Sequence, residues 1–162
     1  MTLNEKIIKL LKEHPEGGEK FFNALDLLLR SDRLILDDFV EWAVQGAKEY
    51  KTGDSLGLVI TGKFGNAIIS NFPILLNAVF SDIIVVNGGI RTGAVPEIYK
   101  TSFKAERFVF FDDSLYSGTT MKTIEKAMQE IDEDIHIIHS WVIYDGGHIV
   151  NNEVSSLYRY YG

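Results

Sequence analysis

The chain has 162 residues, a length that suits one domain with a core large enough to fold without staples. Hydrophobic residues make up 46% of it, which excludes a disordered chain, and the absence of cysteine excludes disulfides, thiolate metal sites and a cysteine nucleophile. A formal charge of −7 with no dense Lys/Arg cluster argues against a nucleic-acid partner. The opening residues, MTLNEKIIKLLKEH, alternate charged and apolar positions, so no secretory core is expected there. No apolar run approaches the roughly 18 residues that span a membrane. The expected setting is the cytoplasm, whose reducing interior suits a cysteine-free chain.

The first third reads as helices. Leu3, Ile7, Leu10 and Leu11 recur at helical spacing, and so do Phe21, Leu25, Leu28 and Leu29 after a PEGG break. A third helix is predicted to start near Asp37 or Asp38, either of which could cap it, with Phe39, Val40, Ala43, Val44 and Ala47 on one side. KTGDS then punctuates the chain. LGLVI, from Leu56 to Ile60, is the first strand candidate, and TGKFGNAIISNF leads from it into a helix that Pro73 should kink or restart. Ile83 to Val86 is the second strand, RFVFF the third, and Ile135 to Tyr144 the fourth. Apolar strands alternating with helices predict a parallel sheet covered on both faces. Such sheets bind ligands at the carboxyl ends of their strands. Here those ends read TGKFG, NGGIRTG, DDSLYSGTT and DGGH.

The third of these carries the chemistry. Asp112 and Asp113 are adjacent carboxylates that repel one another and resist burial. The turn Ser117-Gly118-Thr119-Thr120 then opens a helix striped by Met121, Ile124, Met128 and Ile131. A helix N-terminus offers free amides, Gly118 permits close backbone approach, and the hydroxyls add donors, which together make a phosphate cradle. Carboxylates upstream can accept hydrogen bonds from sugar hydroxyls or hold Mg²⁺ through water. A sugar phosphate satisfies both halves. The rival reading is an incidental acidic turn that caps a helix.

The segment FVFFDDSLYSGTT resembles the signature of the type I phosphoribosyltransferases, which bind phosphoribosyl pyrophosphate (PRPP). The resemblance spans roughly residues 56 to 145 and implies an α/β fold, a Rossmann-like parallel sheet with an extra helical N-terminal segment. It implies one domain: 1–52 helical and a candidate for the hood that selects the acceptor, 53–145 the core, and 146–162 a C-terminal tail. By the resemblance, Asp112 and Asp113 bind the ribose hydroxyls and Tyr116, Ser117, Gly118, Thr119 and Thr120 wrap the 5′-phosphate. Thr61, Gly62 and Lys63 form the pyrophosphate loop, and residues 87–107 a mobile loop whose Arg91 or Lys100 assists. Asp112, Asp113 and Lys63 are the residues implied in catalysis. Mg²⁺ is the implied cofactor, held mainly through PRPP with Asp112 and Asp113 as further candidates. The implied partners are PRPP and an unidentified nitrogen acceptor. No membrane and no nucleic acid are expected, and homodimers are common in the family.

Two departures narrow the acceptor. The family's purine enzymes usually carry an aspartate where this chain has Tyr116, which counts against the usual 6-oxopurine acceptor. The loop also lacks the dense basic pattern of the orotate enzymes. A non-catalytic sensor of PRPP or a nucleotide on the same fold is therefore the alternative function. A phosphate-receiver reading ranks last, because receivers place paired acids on the first strand. His136 and His139 lie three apart on a strand, a spacing that plain alternation puts on opposite faces. His148 follows the DGG turn and could touch an acceptor, while Tyr158, Tyr160 and Tyr161 suit packing or a subunit contact.

Overall fold

The computed structural model describes residues 3–14, 18–31, 33–53, 55–115, 118–147 and 153–159. Three helices come first: α1 (Leu3–Glu13), α2 (Gly18–Ser31) and α3 (Arg33–Lys48). The α/β core follows as β1 (Gly57–Thr61), α4 (Gly62–Asn71), α5 (Pro73–Val79), β2 (Asp82–Val86), β3 (Arg107–Leu115), α6 (Thr119–Gln129) and β4 (His136–Asp145). A fifth strand, β5 (Val154–Arg159), closes the order β2-β1-β3-β4-β5, and every neighbouring pair is parallel.

Alternation along the strands divides the core between two faces. Leu58, Ile60, Val109, Phe111, Trp141 and Ile143 face the helices α1 to α5. Val59, Ile84, Val86, Phe108, Phe110 and Ile137 face α6, which buries Met121, Ile124 and Met128 against them. The first face is the thicker. Phe39 of α3 packs edge-on to Phe111, with ring centroids 6.0 Å apart, and both side chains are fully buried. Burial on this scale contributes about 1.5–3 kcal/mol per large apolar side chain.

Several sequence expectations shift by a few residues for physical reasons. The α3 helix begins at Arg33, so Asp37 and Asp38 lie inside it instead of capping it. Pro73 does restart the helix: its missing N–H costs nothing at the first position of α5, after the break at Phe72. β3 runs four residues beyond the predicted RFVFF because β4 continues to pair with it as far as Leu115↔Asp145. β5 lies in the tail for which no strand was read; its sequence VSSLYR has only one large aliphatic residue after Val154.

β4 also carries an extra residue opposite β3. Phe108 faces Ile137 across the ladder and Val109 faces His139. This bulge reverses the alternation, so Ile137 packs on the α6 side while His139 stacks on Tyr50 and Trp141 on the other. The face assignment of His136 and His139 by plain alternation therefore does not hold. The pair still differs sharply in burial, since His136 is exposed and His139 buried.

Candidate active site

The crevice forms where the strand order reverses. β1 is flanked by β2 on one side and β3 on the other, so the connections leaving β1 and β3 diverge at their carboxyl ends. β1 pairing with β3 stops at Ile60↔Phe111. The chain then turns at Thr61 directly into α4, while β3 runs on. From Asp112 onward β3 has lost β1 as a neighbour and keeps only β4. The two carboxylates thus stand on the open wall of a cleft of about 380 Å³.

The cleft gathers most of the residues named from sequence. Thr61, Gly62 and Lys63 line one wall, Asp112 and Asp113 another, and Arg91 and Thr120 complete it. A small adjoining recess of about 30 Å³ is lined by Gly118, Thr119 and Thr120 beneath Asp112, and Arg91 borders both spaces. Tyr116 and Ser117 lie outside the described residues, as do His148, Tyr160 and Tyr161. Lys100 is not in the cleft: its Nζ lies 3.0 Å from Oδ1 of Asp82, the first residue of β2, at the opposite end of the sheet.

Two helix N-termini point into this space. The α4 helix starts at Gly62, whose φ of +62° is the left-handed region that suits glycine. A Cβ on Gly62 would come 3.5 Å from the Cα of Gly88, so the tips of β1 and β2 touch there. The α6 helix starts at Thr119 after Gly118, which adopts φ +77° and accepts a bond from the Lys122 amide at 3.1 Å. Neither N-cap residue, Thr61 or Gly118, makes a side-chain cap bond, and both helices turn the positive ends of their dipoles toward the cleft. The predicted pyrophosphate loop is a direct strand-to-helix junction with no intervening residues.

The acid pair is electrostatically loaded. The Asp113 amide donates to Oδ1 of Asp112 at 2.9 Å, and the Ser114 hydroxyl donates to Oδ1 of Asp113 at 3.3 Å. Burial above all, and then the neighbouring Asp113 carboxylate, push Asp112 well above the usual carboxylate range; the Asp113 amide and Arg91 pull it back. Arg91 is presented by a short 3-10 turn, Ile90–Thr92: Ile90 beside it is buried, and Gly89 and Gly93 flank the turn in left-handed conformations. Lys63 is exposed at the cleft mouth. Two exposed cations and two helix ends thus face two carboxylates across one cleft, a chemistry suited to a ligand that is both anionic and rich in hydroxyls.

Among the described residues no group of three or more His, Asp or Glu could hold a metal by itself. The Asp112 and Asp113 oxygens do fit a hard divalent cation whose remaining ligands come from phosphates and water, which is how Mg²⁺ is usually held. Sequence reasoning missed the contribution of α2, which sends Asn23 and Leu25 to the cleft. A polar residue on an amphipathic helix reads as merely solvent-facing; Asn23 is exposed, but the packing of α2 on the end of β4, where Phe21 meets Tyr144 with ring centroids 6.4 Å apart, sets it at the cleft.

An all-parallel five-stranded sheet with flanking helices and a crevice at its switch point is the fold of the type I phosphoribosyltransferases. Solved structures share it with this chain. The adenine phosphoribosyltransferase of Giardia lamblia, complexed with 9-deazaadenine, is 13% identical with a TM-score of 0.55, covering 86% of either chain. A second adenine phosphoribosyltransferase is 14% identical with a TM-score of 0.54, covering 81% of this chain and 84% of its own. The Helicobacter pylori xanthine-guanine-hypoxanthine phosphoribosyltransferase is 13% identical with a TM-score of 0.52, covering 77% of this chain and 83% of its own. No protein-family model matches the sequence, and no curated protein matches it. No helix among the described residues is long and apolar enough to cross a membrane.

Proposed function

We propose that the protein is a PRPP-dependent phosphoribosyltransferase that moves the 5-phosphoribosyl group to a nitrogen acceptor and releases pyrophosphate, in the cytoplasm. The observation that carries this reading is the pairing of Asp112-Asp113 with the α6 N-terminus on one side of the cleft and the α4 N-terminus on the other. The α6 end, with Gly118, Thr119 and Thr120, receives the 5′-phosphate, and the sequence places Tyr116 and Ser117 in the same turn. Asp112 and Asp113 accept hydrogen bonds from the ribose hydroxyls. Thr61, Gly62 and Lys63, with Arg91 across from them, receive the pyrophosphate.

The reaction breaks the bond from C1 to the pyrophosphate oxygen and forms one from C1 to the acceptor nitrogen, which loses a proton. The transition state carries positive charge on the sugar ring. The carboxylates stabilise that charge, and Lys63, Arg91 and the α4 amides stabilise the charge gathering on the leaving group. Mg²⁺, when bound with PRPP, neutralises part of the pyrophosphate charge. Holding both reactants in one cleft supplies the orientation.

Titration calorimetry of PRPP, with and without Mg²⁺, tests the reading. Micromolar binding that needs Mg²⁺ and disappears in Asp112→Asn/Asp113→Asn supports it, and a screen of nucleobases for pyrophosphate release then finds the acceptor. No binding of PRPP, ribose 5-phosphate or a nucleoside monophosphate sinks it. A second reading, a PRPP or nucleotide sensor on the same fold, draws on the position of Lys100: with that lysine paired to Asp82, Arg91 is the loop cation that lines the cleft. Tight PRPP binding without turnover on any acceptor distinguishes the sensor.

A further inference from the structure

The connection from β2 to β3 has an unusual task. It must pass over β1, which lies between the two strands it joins, and it does so without an α-helix, its helical part being one 3-10 turn at Ile90–Thr92. The face it crosses bears Val59, Ile84 and Phe108, all buried. Among the described residues α6 is the one α-helix that packs in this face's cluster, and Ile90, Ala94, Ile98, Phe103 and Ala105 of the connection pack in it as well. Phe103 meets Phe108 edge-on at 5.7 Å.

From 94 to 99 the connection runs with strand-like alternation, half-buried at Ala94, Pro96 and Ile98 and exposed at Val95, Glu97 and Tyr99. It is tied at both ends of β2. At the carboxyl end, Oδ1 of Asn87 accepts the Glu97 amide at 2.7 Å and its Nδ2 donates to the Val95 carbonyl at 3.2 Å. At the amino end, the Asp82 carboxylate is 2% exposed and accepts the amides of Lys104 and Ala105 at 2.6 and 2.8 Å, while Lys100 Nζ pairs with its other oxygen. A carboxylate this buried is costly to leave unpaired, so those three donors and the acid hold one another in place.

We infer that residues 94–106 are a fixed strap that takes the place of a covering helix, moored by Asp82, and that Lys100 serves the mooring instead of the ligand. Swinging this segment over the cleft would strip the apolar face of β1 and β2 and strand Asp82. The strap therefore stays put when the cleft fills. This goes beyond the proposed activity, since the strap covers the sheet whatever the cleft binds.

Hydrogen exchange on the full chain tests it, read at the Lys104 and Ala105 amides. Both should exchange within about tenfold of the β2 amides, and PRPP with Mg²⁺ should leave their rates unchanged. Lys100→Met should speed exchange across 101–106 while the calorimetric affinity for PRPP stays within about twofold. Asp82→Asn should release the segment further; should it fail to fold, Lys100→Met still decides. Loop-like exchange at Lys104 and Ala105 in the unaltered protein overturns the inference. So does a loss of tenfold or more in PRPP affinity in Lys100→Met without faster exchange. If the unaltered protein binds no PRPP, the transferase reading falls, and the exchange rates alone decide the strap.

Discussion

Replacing Gly62 with alanine isolates the backbone at the head of the cleft. The residue sits at φ +62°, where an L side chain is strained by about 1–2 kcal/mol. The added Cβ would lie 3.5 Å from the Gly88 Cα, an ordinary van der Waals distance, so no clash adds to the strain. The expected destabilisation is therefore about 1–2 kcal/mol, or roughly 2–8 °C in melting temperature for a domain of this size. Asparagine tolerates the left-handed region better than alanine, so Gly62→Asn should recover part of the loss. The strain can also relax by turning the first α4 amides out of the cleft, which should weaken PRPP binding in Gly62→Ala by about tenfold. Calorimetric melting and PRPP titration of the three proteins measure both effects. If Gly62→Ala melts with the unaltered protein, or if Gly62→Asn is the less stable of the two variants, the reasoning from backbone geometry is wrong.

Three other outcomes are expected. Asp112 holds its proton to higher pH when folded than when unfolded, so its ionisation destabilises: stability should fall as pH rises from the unfolded carboxylate range through the raised folded value. Melting curves should then show Asp112→Asn more stable than the unaltered protein at neutral pH, even as it loses PRPP. His139 is shifted the other way by burial, opposed by Glu153, so it stabilises the fold above the ordinary histidine pKa and that contribution is lost as pH falls below it. His139→Phe should flatten melting temperature against pH across about 5–7, the range in which histidine titrates. Lys63→Ala and Arg91→Ala should each weaken PRPP by about tenfold, the scale of one charge-assisted contact, and because both side chains are exposed, calorimetry at rising salt should narrow both gaps.

The core of this fold was legible because its strands are near-continuous apolar runs. LGLVI, DIIVV and RFVFF read as buried on both faces, and the two clusters that flank the sheet bear this out. The FFDD…SGTT segment announced a strand, an acid pair and a helix start in one line of sequence. β5 was not legible, because Ser155 and Ser156 carry no apolar period and the strand owes its existence to the free edge of β4. The His139 bulge was invisible for a similar reason: register belongs to the pair of strands and neither sequence alone records it. Lys100 illustrates the limit for charged residues. A lysine in a glycine-flanked connection next to a phosphate-binding pattern reads as a ligand contact, yet its partner is an aspartate eighteen residues earlier, brought near only by the path of the chain.

The route of that connection also governs how the chain can be made. β1 lies between β2 and β3, so the sheet is still missing a central neighbour when β2 has been synthesised. Until residues 94–106 and α6 have followed, Val59 and Ile84 have nothing to cover them, and the nascent half-domain presents a sticky parallel ribbon to its surroundings. Parallel pairings between distant segments form slowly, and the β1–β3 pairing is one of them. A ribosome paused between β2 and β3 would thus hold out the form of this protein most in need of a chaperone.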